Sequence, residues 1–302
     1  MKLQRYEESY RVHKDEGGIL LREFLFLRGI TRRALTSIKF GGGLIEVNGH
    51  EVNVREVVRE GDQVRVMFPP ENRGKTLIGE NIPLRILYED EYVLVINKGP
   101  GMNTIPSREH PTGSLAQALI YYYESVGLPS TVHVVTRLDR DTSGAVLIAK
   151  YSPVHEKLSL QQKEKKVKRT YEAIVHGKVE PLEGTYTAPI GRKDDSIIER
   201  TVREDGQTAI THYNVKRYTT FFSHIHVQLE TGRTHQIRVH FSHAGYPLVG
   251  DTLYGGAKND LNRQALHCVS VEWLDIKSGE VKKVVCELED DLKKFVEEKF
   301  RP

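Results

Sequence analysis

The sequence predicts an α+β protein of two domains, a small N-terminal one and a larger one rich in strands. Three observations carry this reading. Two helical patterns followed by an Asn-Gly hairpin fill the first part of the chain. Pro69-Pro70 then opens a stretch without periodicity. Beyond Pro83, short apolar or alternating runs are interleaved with helical ones. A length of 302 residues suffices for one large or two ordinary domains with sizeable cores.

Composition narrows the function classes. Hydrophobic content of 38% and charged content of 28% fit a globular protein, and no apolar run approaches the roughly 18 residues of a membrane span. The N-terminus is polar and lacks the apolar core of a signal peptide. Two cysteines, Cys268 and Cys286, are too few for a disulfide framework, so the expected compartment is a reducing cytoplasm. The net charge of only +3 means that any nucleic-acid surface must come from local patches. No internal repeat or low-complexity tract is present.

In chain order, residues 1–12 leave open an edge strand or a tail. From Gly18, Ile19, Leu20, Phe24, Leu25 and Leu27 share one helical face, and Gly29 ends it. Thr31 is a good N-cap for a second helix ending at Gly41–Gly43. Asn48-Gly49 is a strong hairpin signal, and an alternating strand, QVRVMF, follows. Residues 69–83 form the linker. Next come a strand pair turning at Asp90-Glu91, a helix from Ser114 to Tyr123, and a Lys- and Gln-rich helix from Pro153 to Lys166. An alternating strand from Lys168 to Val175 carries Tyr171, which pattern alone would place in a core. Pro189 to Thr208 is polar and reads as an insertion or a long hairpin. Two more strands, Thr211 to Tyr218 and Phe222 to Glu230, precede an amphipathic C-terminal helix from Leu288 to Phe300.

Two stretches carry chemistry. Thr136-Arg137-Leu138-Asp139-Arg140-Asp141-Thr142-Ser143-Gly144 lies between apolar, β-branched runs that read as buried strands. Its Asp, Ser and Thr bond their own backbone and its Gly supplies positive φ, as a tight polar connection requires. Such a loop can set one side chain in a cleft. Asp139 is that side chain: flanking Arg137 and Arg140 would favour an ionised, nucleophilic carboxylate. The same residues also suit a backbone cap and a solvated ion pair. A hard cation wants more oxygen ligands than this loop offers.

The second stretch is Leu229 to His240, with Thr234 as the expected N-cap and Arg233 just before a helix N-terminus, where anions are attracted and an Arg adds a planar fork. His235 and His240 diverge by about 140° on a helix, which argues against a shared metal ion.

These stretches resemble the RluA-type pseudouridine synthases, which isomerise uridine in RNA. The family's His-Arg-Leu-Asp-x-x-Thr-Ser-Gly is matched at six of seven fixed positions by residues 136–144, Thr136 standing where the family has His. Asn97 to Met102 resembles the family's Asn-Lys-Pro-x-Gly-Met, with Gly99 at the Pro. Lys168 to Val175 fits its Lys-x-Tyr-x-Ala-x-Val context, residues 231–240 its Thr-Gly-Arg-x-His-Gln-Ile-Arg-Val-His, and Ala265-Leu266-His267 its later Ala-Leu-His. Residues 13–68 resemble the S4-like (alpha-L) RNA-binding domain. The resemblance implies a catalytic domain over 84–302 on a large mixed, mostly antiparallel sheet flanked by helices. It implies Asp139, Tyr171 and Arg233 as the catalytic group, with Arg233 holding Asp139 and Tyr171 against the uracil. Arg137 would fill the space of a flipped base. Lys168, Arg169, His235, Gln236 and Arg238, with Arg32, Arg33 and Lys39 of the small domain, would contact RNA. The expected enzyme is a cytoplasmic monomer that acts on rRNA or tRNA and needs no metal and no cofactor. The rival readings are a non-catalytic RNA-binding or ribosome-assembly factor, and a hydrolytic glycosidase, for which no second carboxylate has a comparable motif.

Overall fold

The computed structural model describes residues 5–71, 77–258 and 261–301. The chain divides into two compact units, Met1–Gly79 with Ile120–Thr131, and Glu80–Leu119 with Val132–Pro302. Of the expected linker, residues 72–76 lie outside the described residues.

The first unit contains β1 (Glu7–Arg11), α1 (Leu21–Leu27), α2 (Arg32–Phe40), β2 (Leu44–Val47), β3 (His50–Glu51) and β4 (Gln63–Met67). Thr31 caps α2 as its sequence predicts, its hydroxyl accepting from Ala34 N at 3.1 Å. Asn48 and Gly49, at φ 53° and 80°, make the tight turn between β2 and β3. The sheet runs β1-β4-β2-β3, so the N-terminal segment is an edge strand and not a tail. Phe24, Leu25, Ile38, Val64 and Val66 are among its buried residues.

The second unit is built on β5 (Ile86–Glu89), β6 (Val93–Lys98), α3 (Leu115–Ser125), β7 (His133–Val134), β8 (Ser143–Ala149), α4 (Ser152–Lys163), β9 (Lys168–His176), β10 (Glu183–Tyr186), β11 (Ile190–Arg192), β12 (Arg200–Val202), β13 (Thr211–Tyr218), β14 (Phe222–Leu229), α5 (Gln236–His243), β15 (Leu266–Leu274), β16 (Val281–Val285) and α6 (Asp290–Lys299), the division between units falling within α3. A ten-stranded sheet runs β10-β13-β14-β9-β15-β8-β6-β5, with β16 beside β15 and β7 beside β8. Every pair is antiparallel except β15 with β8, where His267 stands by Ser143 and Cys268 by Gly144. The fold is therefore α+β with a large, mostly antiparallel sheet. β8 is buried along its whole length, as a continuous apolar run requires. On one side α6 lays Leu292, Phe295 and Val296, with Phe300 just after it, against Ile174 and Val249. β11 and β12 form a separate two-stranded hairpin within the polar 189–208 stretch. No helix of the described residues is long and apolar enough to cross a membrane.

Candidate active site

The loop from Thr136 to Thr142 is held at the backbone of Leu138, Arg140 and Asp141 by side chains from elsewhere. Thr104 Oγ1 donates to Leu138 O at 2.8 Å and accepts from Leu138 N at 3.3 Å. Lys98 Nζ donates to Arg140 O at 3.0 Å, and to Gly99 O and Met102 O at 2.9 Å each. Arg263 Nη1 donates to Asp141 O at 3.2 Å, while its Nε and Nη2 grip Asp291 of α6. Burial pulls the Lys98 ammonium down to about 7, against the raising effect of Asp139 and Asp141. The Thr-Ser-Gly that ends the loop reads against the strand beside it. Gln264 Nε2 bonds Thr142 Oγ1 at 3.2 Å, and Ser143 Oγ meets His267 Nδ1 at 2.8 Å. Gly144 sits at φ 114°, where a Cβ would stand 2.6 Å from Cys268 N. Thr136, at the family's His position, is buried and accepts from Leu147 N at 2.9 Å, so it ties the loop's entry to β8.

This frame leaves the Asp139 side chain partly exposed in a cleft of about 490 Å³, which is also lined by Arg137, Tyr171, Arg169, Arg233 and His235. The structure thus brings Asp139, Tyr171 and Arg233 to one cleft, but the cation on Asp139 is Arg238. Its Nη1 lies 3.2 Å from Asp139 Oδ2, while Nε and Nη2 take Asp251 at 2.7 and 2.8 Å. Burial works against the Arg238 charge, but the two carboxylates outweigh it and the guanidinium is held above its usual range.

The helix start explains the exchange of arginines. α5 is capped not by Thr234 but by His235 at φ 59°. Arg233 leaves the chain before that turn, is exposed, and donates from Nε to Thr208 O at 3.0 Å. Arg238 lies in the first turn and faces inward. It is only 6% exposed and bonded to two carboxylates, so it is not placed to meet phosphate as the resemblance implied.

Two further expectations need correction. Gln236 is buried with its amide fully used: Oε1 accepts from Thr231 Oγ1 and Arg233 N, and Nε2 donates to Ile210 O and Thr211 Oγ1. It locks the turn and has nothing left for RNA. Lys168 is exposed, but strand alternation puts it on the face of β9 opposite Tyr171 and the cleft. Arg169 shares the Tyr171 face. A Cβ on Gly232 would come within 2.7 Å of Arg169 Nη2, so that glycine lets the guanidinium pass. Tyr171 is buried on a central strand, and burial pushes its phenol up while Arg169 works the other way. Arg137 is exposed at the cleft, and Arg32, Arg33 and Lys39 are exposed on α2 of the first unit.

The clamps Lys98, Thr104 and Arg263 had no assigned role from sequence. The signal for Lys98 was its place in the Asn97-Lys98 stretch. The signal for Arg263 and Gln264 was their adjacency to Ala265-Leu266-His267. A partly exposed carboxylate and a buried tyrosine in a cleft lined by arginines suit a planar, uncharged ring carried on a polyanion, which is the class of an enzyme site for nucleic-acid bases.

Comparison with known proteins agrees. Residues 92–243 match the family described as RNA pseudouridylate synthase. The chain is 51% identical over 276 residues to the uncharacterized RNA pseudouridine synthase YjbO of Bacillus subtilis, over 91% of this chain and 98% of that one. It is 42% identical over 214 residues to ribosomal large subunit pseudouridine synthase D of Pseudomonas aeruginosa, over 71% of this chain and 66% of that one. Human RNA pseudouridylate synthase domain containing 1 shares the fold, with a TM-score of 0.57 at 24% identity over 72% of this chain and 86% of that one. The chain belongs to the RNA pseudouridylate synthase family, in its RluA-type branch, and is an RNA pseudouridine synthase.

Proposed function

We propose that the chain isomerises specific uridines of large-subunit ribosomal RNA, with Asp139 as the catalytic carboxylate and Arg238 as its fixed cation. The observation that carries this is the Asp139 carboxylate itself, reached from the cleft yet bonded by Arg238 on a loop whose Leu138, Arg140 and Asp141 carbonyls are tied down by distant side chains. The ribosomal substrate is suggested by the large-subunit synthase D relatives. The reaction breaks C1′–N1, forms C1′–C5, and moves one proton from C5 to a ring nitrogen. No electrons are gained or lost, so the chemistry calls for no cofactor. A carboxylate near the anomeric carbon serves it much as in glycosidases.

Tyr171 packs on the uracil, and its phenol stays protonated. The target base leaves its stack to reach the cleft, and exposed Arg137 fills the vacated space. Arg169 and Arg233, with Arg140 beside them, meet phosphates at the mouth, a role that replaces the expected Arg233–Asp139 pair. Residues 13–68 act as an S4-like RNA-binding domain through Arg32, Arg33 and Lys39, adding affinity and not chemistry. The enzyme works as a cytoplasmic monomer. Pseudouridine mapping in cells lacking the gene, complemented by wild type or by Asp139→Asn, tests this. Discrete large-subunit sites should vanish and return only with wild type. Sites confined to tRNA would overturn the substrate, and restoration by Asp139→Asn would overturn the mechanism.

A further inference from the structure

Asp139 has a second neighbour whose hydrogen-bond roles can be worked out. His235 Nε2 lies 3.9 Å from Asp139 Oδ2, and its Nδ1 lies 2.8 Å from Tyr254 Oη. The direction of that second contact decides which nitrogen carries the proton. Tyr254 Oη accepts from the Arg200 backbone N–H, at 2.9 Å, at the first residue of β12. The phenol's own proton needs an acceptor, and among the described residues His235 Nδ1 is the one in reach. Tyr254 therefore donates to Nδ1, and the neutral imidazole carries its hydrogen on Nε2, aimed at the carboxylate.

The rest of the surroundings supports a purpose for this arrangement. His235 is held at φ 59°, ψ 18°, a left-handed backbone that non-glycine residues adopt at a cost of about 1 kcal/mol or more. Strain of this kind collects at functional sites, and here it turns the ring into the cleft. The groups facing the imidazole are Asp139, Arg238, Asp251, Arg200 and Tyr254. Burial, the largest effect among them, lowers the His235 pKa and keeps the ring neutral near pH 7. Tyr254 also lies under the Arg238 guanidinium, 4.9 Å from the ring centre, so one side chain braces both groups beside Asp139.

We infer that His235 is a positioning residue: Tyr254 fixes it as the Nε2–H tautomer, and that N–H is the second donor, beside Arg238, to Asp139 Oδ2. The 3.9 Å separation closes to a hydrogen bond when the substrate fills the cleft, as catalytic contacts commonly tighten on binding. Arg238 then supplies the charge and His235 the direction, so the carboxylate is held at two points. The inference rests on Asp139 being the catalytic carboxylate.

Nitrogen chemical shifts of His235 in the full-length protein report the tautomer without reference to activity. They should show a protonated Nε2 in wild type and a mixture in Tyr254→Phe. In turnover on a uridine-containing RNA substrate, His235→Ala should lower kcat by about 10²-fold with KM nearly unchanged. His235→Gln, which returns an amide donor, should recover most of that loss. Tyr254→Phe should cost on the order of tenfold in wild type and little in the His235→Gln background. A wild-type ring protonated on Nδ1 would overturn the inference. So would a Tyr254→Phe loss of equal size in both backgrounds, or full activity of His235→Ala. An active Asp139→Asn enzyme would instead sink the underlying mechanism, leaving the tautomer result standing.

Discussion

Removing Arg238 separates what the cation does for the fold from what it does for the reaction. Asp251 is 2% exposed, and its carboxylate takes two of the Arg238 bonds, at 2.7 and 2.8 Å. Arg238→Ala leaves that charge buried without its cation, which costs about 3–5 kcal/mol. With a urea m-value of about 3 kcal/mol/M for a unit of this size, the midpoint should fall by roughly 1–2 M. Trp273 is the one tryptophan of the chain and is 1% exposed on β15, so its fluorescence follows the second unit alone. The double variant Arg238→Leu, Asp251→Leu removes both charges and should recover most of the lost stability, because a matched apolar pair is often neutral or better. It should not recover turnover, since Asp139 still lacks its partner. An unchanged midpoint for Arg238→Ala, or an active double variant, would refute the reasoning.

Other expectations follow from the same geometry. Burial alone would raise Glu172, but hydrogen bonds from His224 and Lys216 bring it down to about 2. Its contribution, on the order of 3 kcal/mol, is therefore present above its ordinary 4.5 and lost as pH falls toward 2. The stability gap between wild type and Glu172→Gln, read by Trp273 fluorescence, should shrink across that interval; a constant gap would contradict the pairing. Gly144→Ala drives a Cβ into the Cys268 backbone at φ 114° and should cost about 3 kcal/mol or more, measured by the same melts. Replacing Arg32, Arg33 and Lys39 together by Gln should make the slope of log affinity against log salt shallower by roughly 2–3, leaving turnover of bound RNA unchanged.

The caps and turns were legible because their chemistry is local: Thr31 before α2, Asn48-Gly49 between β2 and β3, and the buried run of β8 all act within a few residues. The placement of Asp139 at a cleft was legible from the loop's unusual density of turn residues. The partner of Asp139 was not, because Arg233 and Arg238 lie five residues apart across a helix start, and one residue in a left-handed conformation decides which of them faces the carboxylate. The parity of β9 was readable, since alternation separates Lys168 from Tyr171, and the expected phosphate role for Lys168 overlooked it. The loop clamps were legible only as residues in or beside family-like stretches, not as clamps. Lys98 and Arg263 meet the loop through backbone carbonyls 42 and 122 residues away, and such contacts leave no residue-type signature on the partner.

The most direct test of the central claim is single-turnover release of tritium from RNA carrying 5-tritiated uridine, by wild type and by Asp139→Asn, with binding measured on the same RNA. Asn keeps the shape of the side chain and removes its charge. Asp139→Asn should bind the RNA within a few-fold of wild type and release no tritium above background. Substantial tritium release by the pure variant would contradict the assignment of Asp139 and the mechanism built on it.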